Sequence, residues 1–322
     1  MFKKIPALNF ISLARIVRLL WSGYDVQSSM AKYFLEGDKT LEKWSSIEES
    51  LKLKIGNCLI LPNELKIVLS NLVKPVGGRI KNIIEHIYGN DYLPSHFMGL
   101  LSWTLLGIID AKKTAEAVIK DDNLPITKRY EIACTYCLED EIRMLWSELS
   151  ETDRNEYLYP RICARRYVST YWTYCMMDEL NKLDRKIQDR YNLPLRSHCF
   201  GIMSAHITVN QPAFEYFFGK LSTEEKEEYL ECFFRAEDFG IVKKIYLCDI
   251  SYFLLSQMNA NQRTNAFEKY AYRILNHFLE FPYGDIFLEI KSVVQKYLTI
   301  DQVTDLEGRY KKMCRYFVFR TF

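Results

Sequence analysis

The sequence predicts an all-α protein: an N-terminal helical cap followed by a right-handed α-solenoid of about five or six degenerate helix pairs. Three observations carry this. Only 13 Gly and 9 Pro punctuate 322 residues, too few for the regular turns that sheets need. Apolar residues recur at spacings of three and four along most of the chain, the period of an amphipathic helix. A helical phrase also returns. Cys175, Asp178, Glu179, Leu180 and Leu183 stand 38 residues after Cys137, Asp140, Glu141, Ile142 and Leu145, and the phrase Tyr130–Trp146 echoes again 98 residues on at Cys232, Glu237 and Asp238. Such recurrence marks stacked units, each needing a neighbour to cover its apolar face.

The elements follow in order. Leu13, Ile16, Val17, Leu20 and Trp21 make residues 7–21 an amphipathic helix. The preceding Met1-Phe-Lys-Lys has the basic start of a secretory leader, but Asn9, Ser12, Arg15 and Arg18 interrupt the apolar run, and a helix is expected instead. Tyr24–Leu35 is the second helix, stopped at Gly37-Asp38, and Lys43–Leu53 the third. A helix opens at Asn63 with Leu65, Val68, Leu69 and Leu72. Pro75 and Gly77-Gly78 are expected to break it, leaving Arg79–Tyr88 as a separate helix. The boundary falls near residue 92, between a cap (1–92) and a helical-repeat domain (93–322).

Helix pairs are expected from there on. Phe97–Ile109 pairs with Ala111–Lys120 across Asp110, and Thr127–Leu138 with Glu141–Leu149 across the acidic joint Glu139-Asp140. Ile162–Met177 pairs with Asp178–Tyr191, and His198–Val209 with Ala213–Leu221, where Pro212 suits a helix start. Thr223 is expected to cap a helix reaching Phe234. Gly240–Tyr246, Ser251–Met258, Asn261–Phe281, Tyr283–Leu298 and Val303–Phe319 complete the chain, with Phe317 and Phe319 tucked inward.

Two resemblances follow from particular residues. Gly240-Ile-Val-Lys-Lys-Ile-Tyr-Leu247 is similar to the second helix of ankyrin-type repeats, and Ala133 and Ala205 suit that family's small-residue position. The likeness covers residues 95–300 and implies a stacked binding array, although no unit carries the family's Thr-Pro-Leu-His turn. In its aromatic, Cys-rich texture the chain also looks like helical-repeat proteins of arthropods, which implies no mechanism. Leu61-Pro-Asn-Glu-Leu65, with Leu69, Leu72 and Pro75, resembles the opening of an F-box. That would imply docking on a ubiquitin-ligase scaffold.

Composition narrows the function. Forty-three basic and 41 acidic residues give a net charge of +2, which argues against nucleic acid, whose binders need a clearer basic excess. Nine scattered Cys and no Asn-x-Ser/Thr acceptor point to reduced thiols in the cytoplasm. No apolar run approaches the ~18 residues of a membrane span. Cys134 and Cys137, with His198, Cys199 and His206, offer zinc-type ligands, but the Cys pair lies inside a helix without a second close pair, so buried thiols are expected and no metal or cofactor. No nucleophile elbow, His-Glu-x-x-His or phosphate loop occurs, so the chain is not expected to be an enzyme.

The expected work is non-catalytic binding of a protein partner as a scaffold. Arg161, Arg165 and Arg166 precede Tyr167, Tyr171 and Trp172, with Arg185 and Arg190 on the next helix. Arg and aromatic residues are the composition of interface hot spots. The alternatives are a ubiquitin-ligase substrate adaptor using the F-box-like segment 61–75, and single-stranded nucleic acid clamped across Arg161–Arg190 by charge and stacking.

Overall fold

The structure is a computed structural model and describes residues 8–35, 41–89, 93–104, 107–158, 167–192, 196–208, 210–235 and 247–316. In chain order the helices are α1 (Leu8–Trp21), α2 (Tyr24–Leu35), α3 (Leu41–Gly56), α4 (Asn63–Ile87), α5 (Phe97–Leu100), α6 (Ala111–Val118), α7 (Ile126–Thr135), α8 (Glu139–Glu148) and α9 (Glu151–Leu158). They continue as α10 (Tyr167–Met176), α11 (Leu180–Tyr191), α12 (Ser197–Thr208), α13 (Gln211–Lys220), α14 (Thr223–Arg235), α15 (Leu247–Gln257), α16 (Ala260–His277), α17 (Gly284–Val294) and α18 (Ile300–Tyr316). Among the described residues the chain is all-helical without a strand. Trp103 and Ile109 form an isolated antiparallel bridge.

The chain divides into two compact units. The first is drawn from Met1–Thr114, Phe278–Ser292 and Thr299–Phe322, the second from Ala115–His277 and Val293–Leu298. This division does not follow the linear boundary expected near residue 92, because late segments return to complete the first unit.

In the first unit α4 supplies the central stripe. Leu69, Leu72, Val73, Val76, Ile80, Ile83, Ile84 and Ile87 are buried at helical spacing, and α1 and α3 pack along the helix. Trp21 of α1 is fully buried and stacks on Trp44 at 5.3 Å, while its Nε1 donates to the Val73 carbonyl at 3.1 Å. Lys81 carries its ammonium over the Tyr33 and Trp44 rings at 4.9 and 5.5 Å. Arg79, only 6% exposed, donates to the Phe281 carbonyl at 3.0 Å and so ties the returning segment to α4.

The helix expected to stop at Pro75 therefore runs 25 residues. Pro75 removes one backbone donor, but Val76 and Ile80 continue the buried register of Leu69 and Leu72, and that packing outweighs the local penalty. Gly77 is not a breaker either. A Cβ there would lie 2.1 Å from Trp21 Cζ2, so the position is glycine because an indole rests on the helix backbone.

The expected helix over Phe97–Ile109 is also corrected: only Phe97–Leu100 is helical. Beyond it the Thr104 amide donates to the Ile108 carbonyl at 2.9 Å, the Asp110 amide to Ser102 at 2.8 Å, and Gly107 sits at φ 72. That left-handed turn suits glycine and folds the chain back on itself. The expected joint at Asp110 does form, its Oδ1 accepting from the Lys113 amide at 3.0 Å at the start of α6.

In the second unit α10 is buried on every side. Tyr167 to Tyr174 are all interior, with α7, α8, α9, α11 and α12 packed around them. The uncharged run Tyr-Val-Ser-Thr-Tyr-Trp-Thr-Tyr makes this favourable, because a helix apolar all round must be covered all round. Its hydroxyls are satisfied internally: Tyr130 Oη and Thr173 Oγ1 share a hydrogen bond at 3.2 Å, and Thr173 donates to the Ser169 carbonyl at 2.9 Å.

Three helix-to-helix joints in this unit close alike. The Leu138 amide reaches back to the Ala133 carbonyl (3.0 Å), Glu179 to Tyr174 (2.8 Å) and Asn210 to Ala205 (2.9 Å). At the first two, Cys137 and Asp178 adopt the left-handed conformation with φ 52 and 56, completing the hydrogen-bonded stop in which two orphan carbonyls are satisfied. These two joints pair Cys137 with Asp178, three residues away from the register in which the expected repeat was read. Asn210 caps α13 through its Oδ1 (3.2 Å from the Ala213 amide), and its Nδ2 donates to the Thr135 carbonyl of α7 at 2.6 Å.

Smaller differences have local causes. α9 is a helix that the sequence reading missed, opened by Ser150 and Asp153, whose side chain and amide bond reciprocally. Ser222 rather than Thr223 caps α14. Gly240–Tyr246, Glu237-Asp238, Phe317 and Phe319 lie outside the described residues.

Candidate functional site

Of the residues expected to form a docking surface, the described ones fall in two environments. Arg161, Arg165 and Arg166 lie outside the described residues. Tyr167, Tyr171 and Trp172 are 1, 5 and 2% exposed, interior parts of α10. Arg185 and Arg190 are exposed on α11. Stacking on nucleobases needs open ring faces, and these three rings are covered by protein. The cause is composition read without context: an aromatic helix looks the same at an interface and at the centre of a unit.

Among the described residues a groove forms where α13–α16 meet. Two adjoining hollows, of about 460 and 280 Å³, share Glu227, Leu230 and Gln262 in their walls. Phe218, Leu230, Met258 and Ala266 give an apolar floor, each less than a tenth exposed. The rim is polar. Gln262 donates to Glu227 at 3.1 Å, Lys269 pairs with Glu231 at 3.6 Å, and Lys226 stands 5.8 Å from the centre of the Phe218 ring. Sequence reasoning missed this groove because its walls come from four helices, and only α14 carries a local sign, its run of Glu224, Glu225, Glu227, Glu228 and Glu231.

A second constellation lies at the starts of α12 and α14. Glu225 Oε2 accepts from the Ser222 amide at 2.8 Å, while Ser222 Oγ accepts from the Glu225 amide at 3.2 Å, a reciprocal capping box. Its other oxygen, Oε1, lies 3.6 Å from His198 Nε2 and 3.7 Å from Cys199 Sγ. His198 Nε2 is shielded from solvent and has no hydrogen-bond partner. The Ser222 amide holds the Glu225 carboxyl below the usual carboxylate range. Burial, then the Glu225 charge, pushes the Cys199 thiol up.

The other groups weighed in the sequence are accounted for by packing. Cys134 and Cys137 are buried at the end of α7, and burial raises the Cys134 thiol well above its ordinary value. Cys232 of α14 is instead exposed. His206 Nδ1 meets Tyr229 Oη at 3.1 Å, its ring lies 5.2 Å from Phe233, and burial lowers it to about 4. Ser251 Oγ lies 2.7 Å from His277 Nδ1, a nucleophile-and-base spacing, but Ser251 is fully buried and the pair serves packing. Among the described residues no helix is long and apolar enough to cross a membrane. No protein-family model, curated protein or solved structure matches this chain.

Proposed function

We propose that this chain is a non-catalytic protein-binding module of the cytoplasm, and that its partner docks in the groove between α13 and α16. The observation that carries the reading is the pairing of an apolar floor (Phe218, Leu230, Met258, Ala266) with a polar rim. That is the arrangement used to seat an amphipathic helix. Five glutamates on α14 favour a partner segment with basic residues beside its apolar stripe. The recurring joints at Leu138, Glu179 and Asn210, 41 and then 31 residues apart, support descent from stacked, degenerate helix pairs of the ankyrin-like kind.

Affinity capture with the full chain tests this against the arginine surface expected from the sequence. Capture of a partner that Glu227→Lys with Gln262→Lys abolishes, and Arg185→Glu with Arg190→Glu leaves intact, supports the groove. The opposite pattern moves the site to α11, and a partner indifferent to both pairs refutes the reading.

A second reading has its own observation. Leu59 and Ile60, in the turn before the F-box-like segment, are 95 and 92% exposed, and Leu65 and Ile67 are 40 and 52% exposed. Exposed apolar residues gathered in one short stretch mark contact surfaces. This favours the ubiquitin-ligase adaptor through residues 61–75. Leu59→Ser with Ile60→Ser would then remove ligase scaffold subunits from the captured material while leaving the groove partner bound.

A further inference from the structure

We infer that His198 Nε2, Cys199 Sγ and Glu225 Oε1 form a mononuclear site for a divalent transition metal of the zinc class, with water as fourth ligand. The trio is the one group of three potential ligands that assembles among the described residues, one ligand atom from each lying within 4.8 Å of the others. Zinc bonds to nitrogen, sulfur and oxygen of about 2.0–2.3 Å place tetrahedral ligands about 3.3–3.8 Å apart. The carboxylate oxygen already sits 3.6 Å from the imidazole nitrogen and 3.7 Å from the sulfur. The His198-to-Cys199 edge is the one that must adjust to that geometry.

The donor set selects the metal. Imidazole with thiolate suits zinc, cobalt and nickel, whereas magnesium and calcium take oxygen shells. Two features hold the ligands in place, as outer-shell partners do at metal centres. Glu225 is held through Oε2 by the Ser222 amide, which leaves Oε1 directed at the other two groups. The backbone bearing His198 and Cys199 is clamped one residue earlier: the Ser197 amide donates to Asp184 at 2.6 Å, and its carbonyl accepts from Tyr167 Oη at 2.6 Å. Glu225 also lies in the first turn of its helix, where backbone amides favour an anionic side chain. The imidazole nitrogen has no competing partner to give up. Bound metal would cross-link the start of α12 to the start of α14.

Cobalt(II) is the probe, titrated into the full-length chain under reducing, chelator-free conditions. The expected result is a thiolate-to-cobalt charge-transfer absorption that saturates at about one ion per chain and is displaced by zinc, as a tetrahedral site with one thiolate requires. Cys199→Ser and His198→Gln, each checked for intact helical circular dichroism, should abolish it, and Cys134→Ser with Cys137→Ser should leave it unchanged. Absence of the band overturns the site. So does a band that survives either ligand variant, or one that disappears with Cys134 and Cys137.

Discussion

The contact between Trp21 and Gly77 gives a prediction whose sign depends on one methyl group. An alanine Cβ at position 77 would lie 2.1, 2.7 and 3.0 Å from Trp21 Cζ2, Cη2 and Cε2, whereas a Cβ at Gly78 meets nothing within 4 Å. Carbon atoms rest about 3.5–4.0 Å apart, so Trp21 must withdraw by roughly 1.5 Å. Withdrawal strains its hydrogen bond to Val73 and its stack on Trp44. The bond is worth about 1 kcal/mol and the stack about 0.5–1.5 kcal/mol, and the crowding itself typically costs about 1–3 kcal/mol. Helix propensity acts the other way, favouring Ala over Gly by about 1 kcal/mol. Gly77→Ala should therefore destabilise the protein by about 2–4 kcal/mol, while Gly78→Ala should stabilise it by about 0.5–1 kcal/mol.

Denaturant unfolding followed by circular dichroism and tryptophan fluorescence reads both variants. A Trp21→Phe background supplies the coupling, since the smaller ring should recover part of the loss at position 77 and none at 78. Equal effects at the two glycines, or a Gly77 penalty unchanged in the Trp21→Phe background, would refute the reasoning.

Three further outcomes follow from other sites. Asn210→Ala removes the α13 cap, worth about 1 kcal/mol, and the donor to Thr135, whose loss adds about 1–2 kcal/mol, so thermal unfolding should report a loss of about 2–3 kcal/mol. Asp178 holds a left-handed conformation on an exposed joint, and Asp178→Gly should raise stability by up to about 1 kcal/mol, measured by the same scan. His206 is lowered by burial from 6.5 to about 4, so the unfolded chain binds the extra proton first as pH falls. Stability should be intact above about pH 6.5 and decline toward pH 4 by about 3 kcal/mol in all. In His206→Gln that decline should shrink, and an unchanged pH profile would show that another group causes it.

Much of the helical content was legible because caps and apolar spacing act locally. Tyr24–Leu35 matches the observed α2, and Pro212 does lie in the first turn of α13 beside its Asn210 cap. What failed depends on distant partners. Pro75 and Gly77-Gly78 look like a break until Trp21, more than fifty residues earlier, is seen resting on Gly77. The aromatic residues of α10 suggested a docking face, yet the uncharged run Tyr167–Tyr174 was itself a sign of a helix covered all round. The letters Cys137 and Cys175 that suggested a repeat fall three residues off the alike backbone joints at Cys137 and Asp178, because hydrogen bonding between carbonyls and amides leaves almost no trace in residue identity. The groove was not legible, and of the metal-type set the sequence offered His198 and Cys199 but joined them to Cys134, Cys137 and His206 rather than to Glu225, since both features gather residues from separate helices.

The hydrogen bond from Arg79 to Phe281 carries a consequence for biogenesis. The first unit draws on three stretches of sequence, so on the ribosome its early helices must wait until residue 281 has been synthesised before that bond can form. The second unit, nearly continuous from Ala115 to His277, can complete most of its contacts earlier. A chain truncated after residue 277 should therefore protect helices α7 to α16 from protease while α1–α4 are still cleaved, which would reverse the usual order in which the amino-terminal region matures first.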